Sequence, residues 1–533
     1  MSAIKLYTDE SNKTARRTGS RLAILVLAVS IAVFAVLPAA AEEGFGFGDL
    51  SADTEEVSGA GTLAPASGVG VAGRADYDTT AFFAAADAVA DTPLSGIPTA
   101  RLDFKAQGAS VDAALRLKIN EAILNDSPES LLDEASVRID LGKLDLEGGL
   151  LKRSWGKADN EGPLDVLNPY DRSDLSVTEI LDRKIAQPML CATVALGSFS
   201  ELEAVFLPGF EGHRIAAEGI WAPAAVRSQK VAAKSQIYDG LYASNYAAAW
   251  SAAYSAAYAQ ILALNSALTA AQASSAATAQ AELAITSQSS AIAAQADAAA
   301  DGMVADMLDY PDTRTLEYAQ GGMRFTTTLA GADLGFQYFY GYLPTPVASA
   351  DPGAFVANGY RVPIGYNRYH QAGVDLATVL LGLNLRAELA ANVTEDLEGD
   401  DPLTTNPAVA WALGFDRDLF AGISLNVQGS GSLRLLDDKV GTGASDVEKD
   451  TESVKTRVLA TIMQKLLKDT VEWKMTAVYD VQDGGLLLNP TLAFIAGDAR
   501  IEAKGGYFTG GKDSDLGQFA DASYARISFS YAF

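Results

Sequence analysis

The terminal stretch Ser523–Phe533 constrains the chain more than any other. Ile527, Phe529, Tyr531 and Phe533 are apolar, and they alternate with Arg526, Ser528, Ser530 and Ala532. A period of two puts every second side chain on one face of an extended strand. The same rhythm recurs along the chain. Leu383, Leu385, Ala387, Leu389 and Ala391 interleave with Asn384, Arg386, Glu388, Ala390 and Asn392. Val111–Ile119, Val471–Tyr479 and Ile501–Tyr507 repeat it. Each such segment is a ribbon with one oily and one polar face.

Two architectures use ribbons of this kind. A soluble sandwich turns the oily face into a core, and a membrane barrel turns it to lipid. Three features favour the barrel. The segments are long, and a tilted strand needs about 9–11 residues to cross a bilayer. Their polar faces hold charges of both signs, as a wet lumen does. Tight and long connections also alternate. Gly142-Lys143, Gly197-Ser198, Gly331-Ala332, Asp416-Arg417-Asp418 and Gly497-Asp498 read as tight turns. Long loops near 121–132, 155–187, 209–313, 344–363, 394–405, 434–452 and 511–520 lie between them. The expected fold is an all-β, antiparallel transmembrane barrel of about eighteen strands. The first strand, near 66–76, is rich in Gly and Ala, so sixteen stays open.

Arg16, Arg17 and Arg21 precede the apolar run Leu22–Leu37, followed by Pro38 and Ala39-Ala40-Ala41. Basic, apolar and small-residue regions in that order predict a signal peptide over 1–41, with a retained anchor as the alternative. Residues 42–65 are then a periplasmic segment, and barrel strands fill 66–222 and 312–533. No later run is long and apolar enough for a membrane helix. The net charge of −27 argues against nucleic acid as a partner. Cys191 is the only cysteine, so the chain makes no internal disulfide. With Phe533 last, the terminal strand resembles the signal by which Gram-negative outer-membrane barrels are recognised for insertion. That resemblance implies outer-membrane lipid and the barrel-assembly machinery as partners, with both termini periplasmic.

Residues 223–311 differ in composition. From Ser235 to Leu308 Ala, Ser and Gln dominate, and Gly occurs only at Gly240 and Gly302. Ala is the best helix former, so the stretch predicts an α-helical hairpin in an extracellular loop, turning near Ser266–Thr278. Tyr238, Tyr242, Tyr246, Trp250, Tyr254 and Tyr258 recur every four residues. They form a stripe along one helix, expected to pack on small Ala side chains of the other arm. The hairpin is either a structural spike or a gate or ligand-binding surface.

The fifth strand leads into Trp155-Gly156-Lys157-Ala158-Asp159, and then Asp165-Val166-Leu167-Asn168-Pro169-Tyr170-Asp171. With Ser200–Pro208, Tyr318–Phe325 and Leu334–Tyr342, these residues resemble a functionally uncharacterised, porin-like family of Gram-negative outer-membrane barrels. Its mark is a Trp-Gly…Asp-Val-Leu-Asn-Pro-x-Asp block. The likeness spans about 133–345 apart from the helical insertion, which departs from the family pattern. It implies the barrel and names no ligand. Trp155 at a strand end suits an interfacial aromatic belt. By analogy with the third outer loop of general porins, Lys157–Asp182 is expected to fold into the barrel. Lys157, Asp159, Asp165, Asn168, Asp171, Arg172 and Asp174 would then stand at a constriction. The alternative is a loop packed only on strand ends.

No pattern points to an enzyme, a cofactor or a metal. His213 and His370 lie far apart, without partners at metal-ligand spacing. No Gly-x-Ser-x-Gly elbow occurs. Asp396, Glu398 and Asp400 alternate like half a calcium loop, but Asp401 stands where that loop needs Gly. The polar faces place Arg116, Lys118, Arg138, Asp140, Glu203, Arg386, Glu388, Glu472, Lys474, Arg500, Glu502 and Arg526 in the lumen. They are either its lining or a structural salt-bridge ladder. The expected function is a passive channel for small polar solutes. Asp437, Asp438, Glu448, Asp450 and Glu452 in the outer loops predict a mild cation preference. One alternative is a plugged barrel moving hydrophobic compounds. Gly68–Arg74 followed by Phe82–Ala86 resembles the N-terminal region of long-chain fatty-acid transport barrels, although the Asn-Pro-Ala expected there is missing. Another is a surface-structural or adhesive barrel working through the hairpin.

Overall fold

The computed structural model describes residues 69–83, 98–126, 128–305, 307–348, 352–439, 447 and 451–533. The expected signal peptide, the segment 42–65, Gly68, Ala84–Ala86, Glu448 and Asp450 lie outside the described residues.

Eighteen strands form one antiparallel sheet. In chain order the first nine are β1 (Val69–Phe82), β2 (Thr99–Gln107), β3 (Val111–Ile119), β4 (Leu132–Asp140), β5 (Leu144–Leu151), β6 (Gln187–Ala195), β7 (Ser200–Leu207), β8 (Gln320–Leu329) and β9 (Ala332–Tyr342). The rest are β10 (Arg368–Leu380), β11 (Leu383–Thr394), β12 (Ala408–Asp418), β13 (Ile423–Arg434), β14 (Val454–Leu466), β15 (Val471–Asp480), β16 (Leu486–Ala496), β17 (Ala499–Thr509) and β18 (Tyr524–Ala532). Across the insertion β7 pairs with β8. The sheet closes where β18 meets β1, in register from Arg74 opposite Ala532 to Phe82 opposite Tyr524. Gly73 and Phe533 exchange two backbone hydrogen bonds of 2.8 and 2.9 Å. A Cβ at Gly73 would strike the Phe533 ring, so only glycine lets that ring lie against β1. A closed sheet leaves no edge, which is the condition for strands in lipid.

The alternation read in the sequence decides the two faces. Leu190, Phe206, Phe336, Leu413 and Leu492 are exposed on the outer wall, while their neighbours Cys191, Val205, Gln337, Ala412 and Ala493 are buried inside. Exposed Tyr338, Tyr479 and Tyr507 mark the rim with long loops. Phe199, Phe420 and Phe529 mark the rim with short turns. Rings at both ends of an apolar band match the two girdles of a membrane barrel.

Three local expectations are corrected. The first strand, expected near 66–76, runs on to Phe82, because Asp76 to Phe82 pair with β18. Asp416–Asp418 complete β12, and the turn is Leu419–Gly422. Trp155 is not in an outer belt. It is 3% exposed inside the barrel, with its Nε1 donating to Glu203 at 2.8 Å and its ring edge-on to Phe339.

Helices α1 (Ala224–Leu264) and α2 (Ala270–Ala305) form the hairpin. At 1.5 Å per residue α1 is about 60 Å long. The turn, Asn265–Thr269, is shorter than expected. Thr269 and Gln272 cap each other's backbone N–H groups, which starts α2 at once. Ala273, Ala277, Ala281, Ile285, Ile292, Ala296 and Ala300 of α2 are buried along one seam facing Ile237 and Ala257 of α1. Small side chains every four or seven residues let the two helices approach closely. The aromatic stripe lies beside this seam rather than in it. At the base, Trp221 sits among Phe82, Phe508, Phe519 and Tyr524. Gln518 accepts the N–H of Ala224 at 2.8 Å.

Candidate channel constriction

Residues 152–186, between β5 and β6, turn into the barrel as a strap. The entry depends on Gly156, whose φ of +95° and contact with the Glu388 carboxylate leave no room for a side chain. A strap inside a barrel has backbone groups that lipid-facing strands cannot satisfy, so inward side chains must do so. Glu388 on β11 accepts the N–H groups of Ala158 at 2.6 Å, Leu164 at 3.3 Å and Lys157. Gln428 on β13 accepts those of Asp159 at 2.9 Å and Asn160 at 3.3 Å. Gln337 and Gln371 donate to the carbonyls of Leu164 (3.0 Å) and Pro163 (2.9 Å). The Asp159 carboxylate takes Arg386 at 2.9 Å and Asn426 at 2.8 Å.

The middle of the strap is tied to itself. Lys184 Nζ meets Asp165 at 2.8 Å, with side chains 0% and 7% exposed, and donates to Arg153 O at 2.9 Å. Burial raises the Asp165 carboxyl above its usual range despite the pull of Lys184. Asn168 donates to Leu151 O and Ile185 O at 2.9 and 2.8 Å and accepts Arg153 N–H at 2.7 Å. His213 Nδ1 accepts the Tyr170 N–H at 2.9 Å. Burial, and then the nearby Arg172, push its pKa down to about 3, so the ring is neutral.

The far arm reaches the opposite wall. Lys504 on β17 donates to Ser176 O at 3.0 Å and Thr178 Oγ1 at 2.7 Å. Arg526 on β18 donates to Ser176 Oγ. Arg101 on β2 forms a two-pronged pair with Asp182, one prong at 3.0 Å. Burial opposes the charge on Asp182, but the hydrogen bond and charge of Arg101 prevail and lower its pKa to about 2. The strap therefore crosses the lumen from β9–β13 to β17, β18 and β2.

On one side of it lies a cavity of about 510 Å³. Arg74, Arg101, Lys118, Lys474, Arg500, Lys504 and Arg526 line it together with Asp76, Asp171, Asp174, Asp182, Glu472 and Glu502. Arg500 is braced by Glu472 at 2.9 Å and Glu502 at 2.7 Å. Such a lining offers water and polar solutes charges of both signs. A smaller cavity of about 190 Å³ lies against the strap near Glu161, His213 and Tyr342.

The residues singled out from sequence divide into three groups. Lys118, Glu472, Lys474, Arg500, Glu502, Arg526, Asp171 and Asp174 border the large cavity. Arg386, Glu388, Asp159, Asp165 and Asn168 hold the strap, and Lys157 contributes its backbone N–H. Asp159 and Asp165 are thus turned from the opening, because each has a buried cation to meet. Arg172 turns to Glu161 at 2.6 Å. The remainder are pairs and caps of the wall. Arg116 meets Asp103 at 2.6 Å, Arg138 meets Asp145 at 2.7 Å, Asp140 caps Gly142 N–H at 2.6 Å, and Glu203 holds Trp155 and Arg153.

Sequence reasoning missed Arg101, Asp182 and Lys504. Lys504 was legible as the next inward position after Arg500 and Glu502. Asp396 accepts the N–H groups of Gly399 and Asp401, which closes its own loop. Asp480, Asp483 and Asp515 bring carboxylate oxygens within 4.8 Å of one another at the long-loop rim. Arg457 and Lys455 already meet this group, at 2.9 Å from Asp480 and 3.5 Å from Asp515.

No family model matches the chain, and no curated protein sequence matches it. Among solved structures it is similar to OccAB4 of Acinetobacter baumannii, at 8% identity over 87% of this chain and 97% of that one, with a TM-score of 0.42. It is similar to OpdO of Pseudomonas aeruginosa, at 9% identity over 87% and 96%, with a TM-score of 0.41. It is also similar to the outer membrane channel DcaP of Acinetobacter baumannii, at 9% identity over 88% and 99%, with a TM-score of 0.36. At these identities the likeness concerns the fold alone.

Proposed function

We propose that this chain is an outer-membrane, porin-like passive channel, through which small polar solutes diffuse past the strap. One observation carries the reading: a charged cavity of about 510 Å³ inside a closed barrel whose outer wall is apolar. Lipid outside and water within give polar solutes a route that the bilayer denies them. Cations and carboxylates facing one another across the cavity set up a transverse field, which favours dipolar solutes over apolar ones. A lining of that kind does not suit hydrophobic cargo. Its charges nearly balance, so selectivity comes from the surroundings. The chain's net charge of −27, with Asp437, Asp438 and Glu452 in the outer loops, raises the local cation concentration. The preference is therefore mild and for cations. In this reading the long-loop rim faces the medium and both termini lie in the periplasm. The strand ending at Phe533 is presented to the barrel-assembly machinery.

Planar-bilayer recording with the purified protein tests this. Stepwise conductance, with a reversal potential shifted slightly toward cations in a salt gradient, is expected. A silent bilayer overturns the channel, and an anion-favouring potential overturns the selectivity.

A further inference from the structure

The hairpin carries a feature that the channel does not use. From Gly240 to Ala296 the only charged side chain is Glu282, in a chain that is 20% charged. Its packing against the barrel's loops runs from Ala233 to Leu241 on α1, around Phe355, Tyr360 and Val362. Beyond that point roughly 35 Å of paired helix stands clear of the base.

The aromatic stripe starts at this base with Tyr238, which packs there, and continues along the free length as an ordered row beside the helical seam. Tyr238, Tyr242 and Tyr246 follow one another at centroid spacings of 5.9 and 6.1 Å. Trp250, Tyr254 and Tyr258 follow at 5.3 and 6.0 Å, with ring planes 10° and 20° apart. Stacked rings at such distances overlap only in part, like shingles, and Tyr242, Trp250, Tyr254 and Tyr258 are half-buried. Tyr246 is 38% exposed. Struts across the seam hold the row in place. Lys234 reaches Asp297 and Asp301 at 3.0 and 2.6 Å, and Tyr254 hydroxyl meets Ser274 Oγ at 3.0 Å.

We propose that this flank of the hairpin is a binding rail for a neutral polysaccharide outside the cell. The proposal rests on the barrel reading for its placement, since that reading puts the hairpin beyond the outer membrane. The chemistry follows from the surface. A nearly uncharged face offers nothing to an ionic partner. Rigid tyrosine and tryptophan rings supply apolar contact at low entropic cost, and tyrosine hydroxyls supply hydrogen bonds. Sugar rings have apolar C–H faces and a rim of hydroxyls, and need both. Rings repeating every four residues along a straight helix match a ligand that itself repeats along a line. A lipid surface is a poorer fit, because the exposed positions around the rings are Ala, Ser and Gln.

The test uses the whole barrel in detergent micelles, with dextran, mannan, galactan and a β-1,3-glucan as neutral probes and alginate as the anionic control. Binding is read by affinity electrophoresis and calorimetry. Sedimentation reports self-association, and bilayer conductance is recorded in parallel. At least one neutral probe is expected to bind, and W250A/Y254A should weaken it at least tenfold while conductance and far-UV dichroism stay unchanged. Failure of all four neutral probes overturns the proposal. So does binding that survives W250A/Y254A, alginate binding as tight as the best neutral probe, or loss of a wild-type dimer in the variant. Loss of conductance in the wild type would instead strike the channel reading, leaving the binding result to stand or fall alone.

Discussion

The strap and the hairpin are both insertions between neighbouring strands, and opposite chemistries hold them. Residues 152–186 carry thirteen charged side chains, whereas Gly240–Ala296 carries one. The strap has almost no regular secondary structure, so its backbone depends on side chains of the wall: Glu388, Gln428, Gln337 and Gln371. The hairpin satisfies its own backbone in helices, and an Ala and Ile seam pairs its arms with help from the Lys234 ion pairs and the Tyr254–Ser274 hydrogen bond. A loop that enters a polar lumen must be built from partners elsewhere in the fold, whereas one that leaves the lumen can be self-contained. Changes to the strap should therefore alter the current and lower the stability of a barrel that still forms, and changes to the hairpin should alter neither.

The sharpest way to break this contrast is to remove residues 160–180. Single-channel conductance should rise several-fold, with the barrel still showing its heat-dependent shift in gel mobility. An unchanged conductance would falsify the strap's role as the constriction. Next in size is Lys184→Met, which leaves Asp165 buried without its cation. Removing one partner of a buried pair costs about 3–5 kcal/mol, read as a lower urea midpoint in micelles. A loss below 1 kcal/mol would mean that the strap is not anchored there.

A smaller effect is expected at His213. Its pKa in the folded protein is about 3, against an ordinary 6.5. Between those values the unfolded chain takes up a proton that the folded one refuses. Stability should fall as the pH drops through that window, by up to about 1.4 kcal/mol per unit. His213→Gln keeps an acceptor for Tyr170 N–H and should flatten that slope between pH 6.5 and 4.5, judged against wild type. The smallest effect belongs to the hairpin. Deleting 225–310 should leave conductance within experimental scatter, and a large change would move the constriction to the mouth.

Much of this was readable beforehand, and the boundary has a physical basis. Alternation, turn rhythm and strand number follow from period-two patterning, which lipid on one side enforces everywhere. The helical insertion follows from its Ala content. The individual roles of the charges do not, because an inward carboxylate meets whichever cation the closed barrel brings to it. Asp159 reads like Asp174 in sequence, yet Arg386 buries the first while the second borders water. Trp155 was misread for the same reason. A strand-end tryptophan suits a lipid interface until an infolded strap covers it.

The seam between Gly73 and Phe533 has a consequence for synthesis. Those residues stand at opposite ends of the described chain, so the ring cannot shut until Phe533 has been made. Until then the unclosed sheet keeps two bare edges, which invite aggregation. The hairpin, whose contacts are local, can form early.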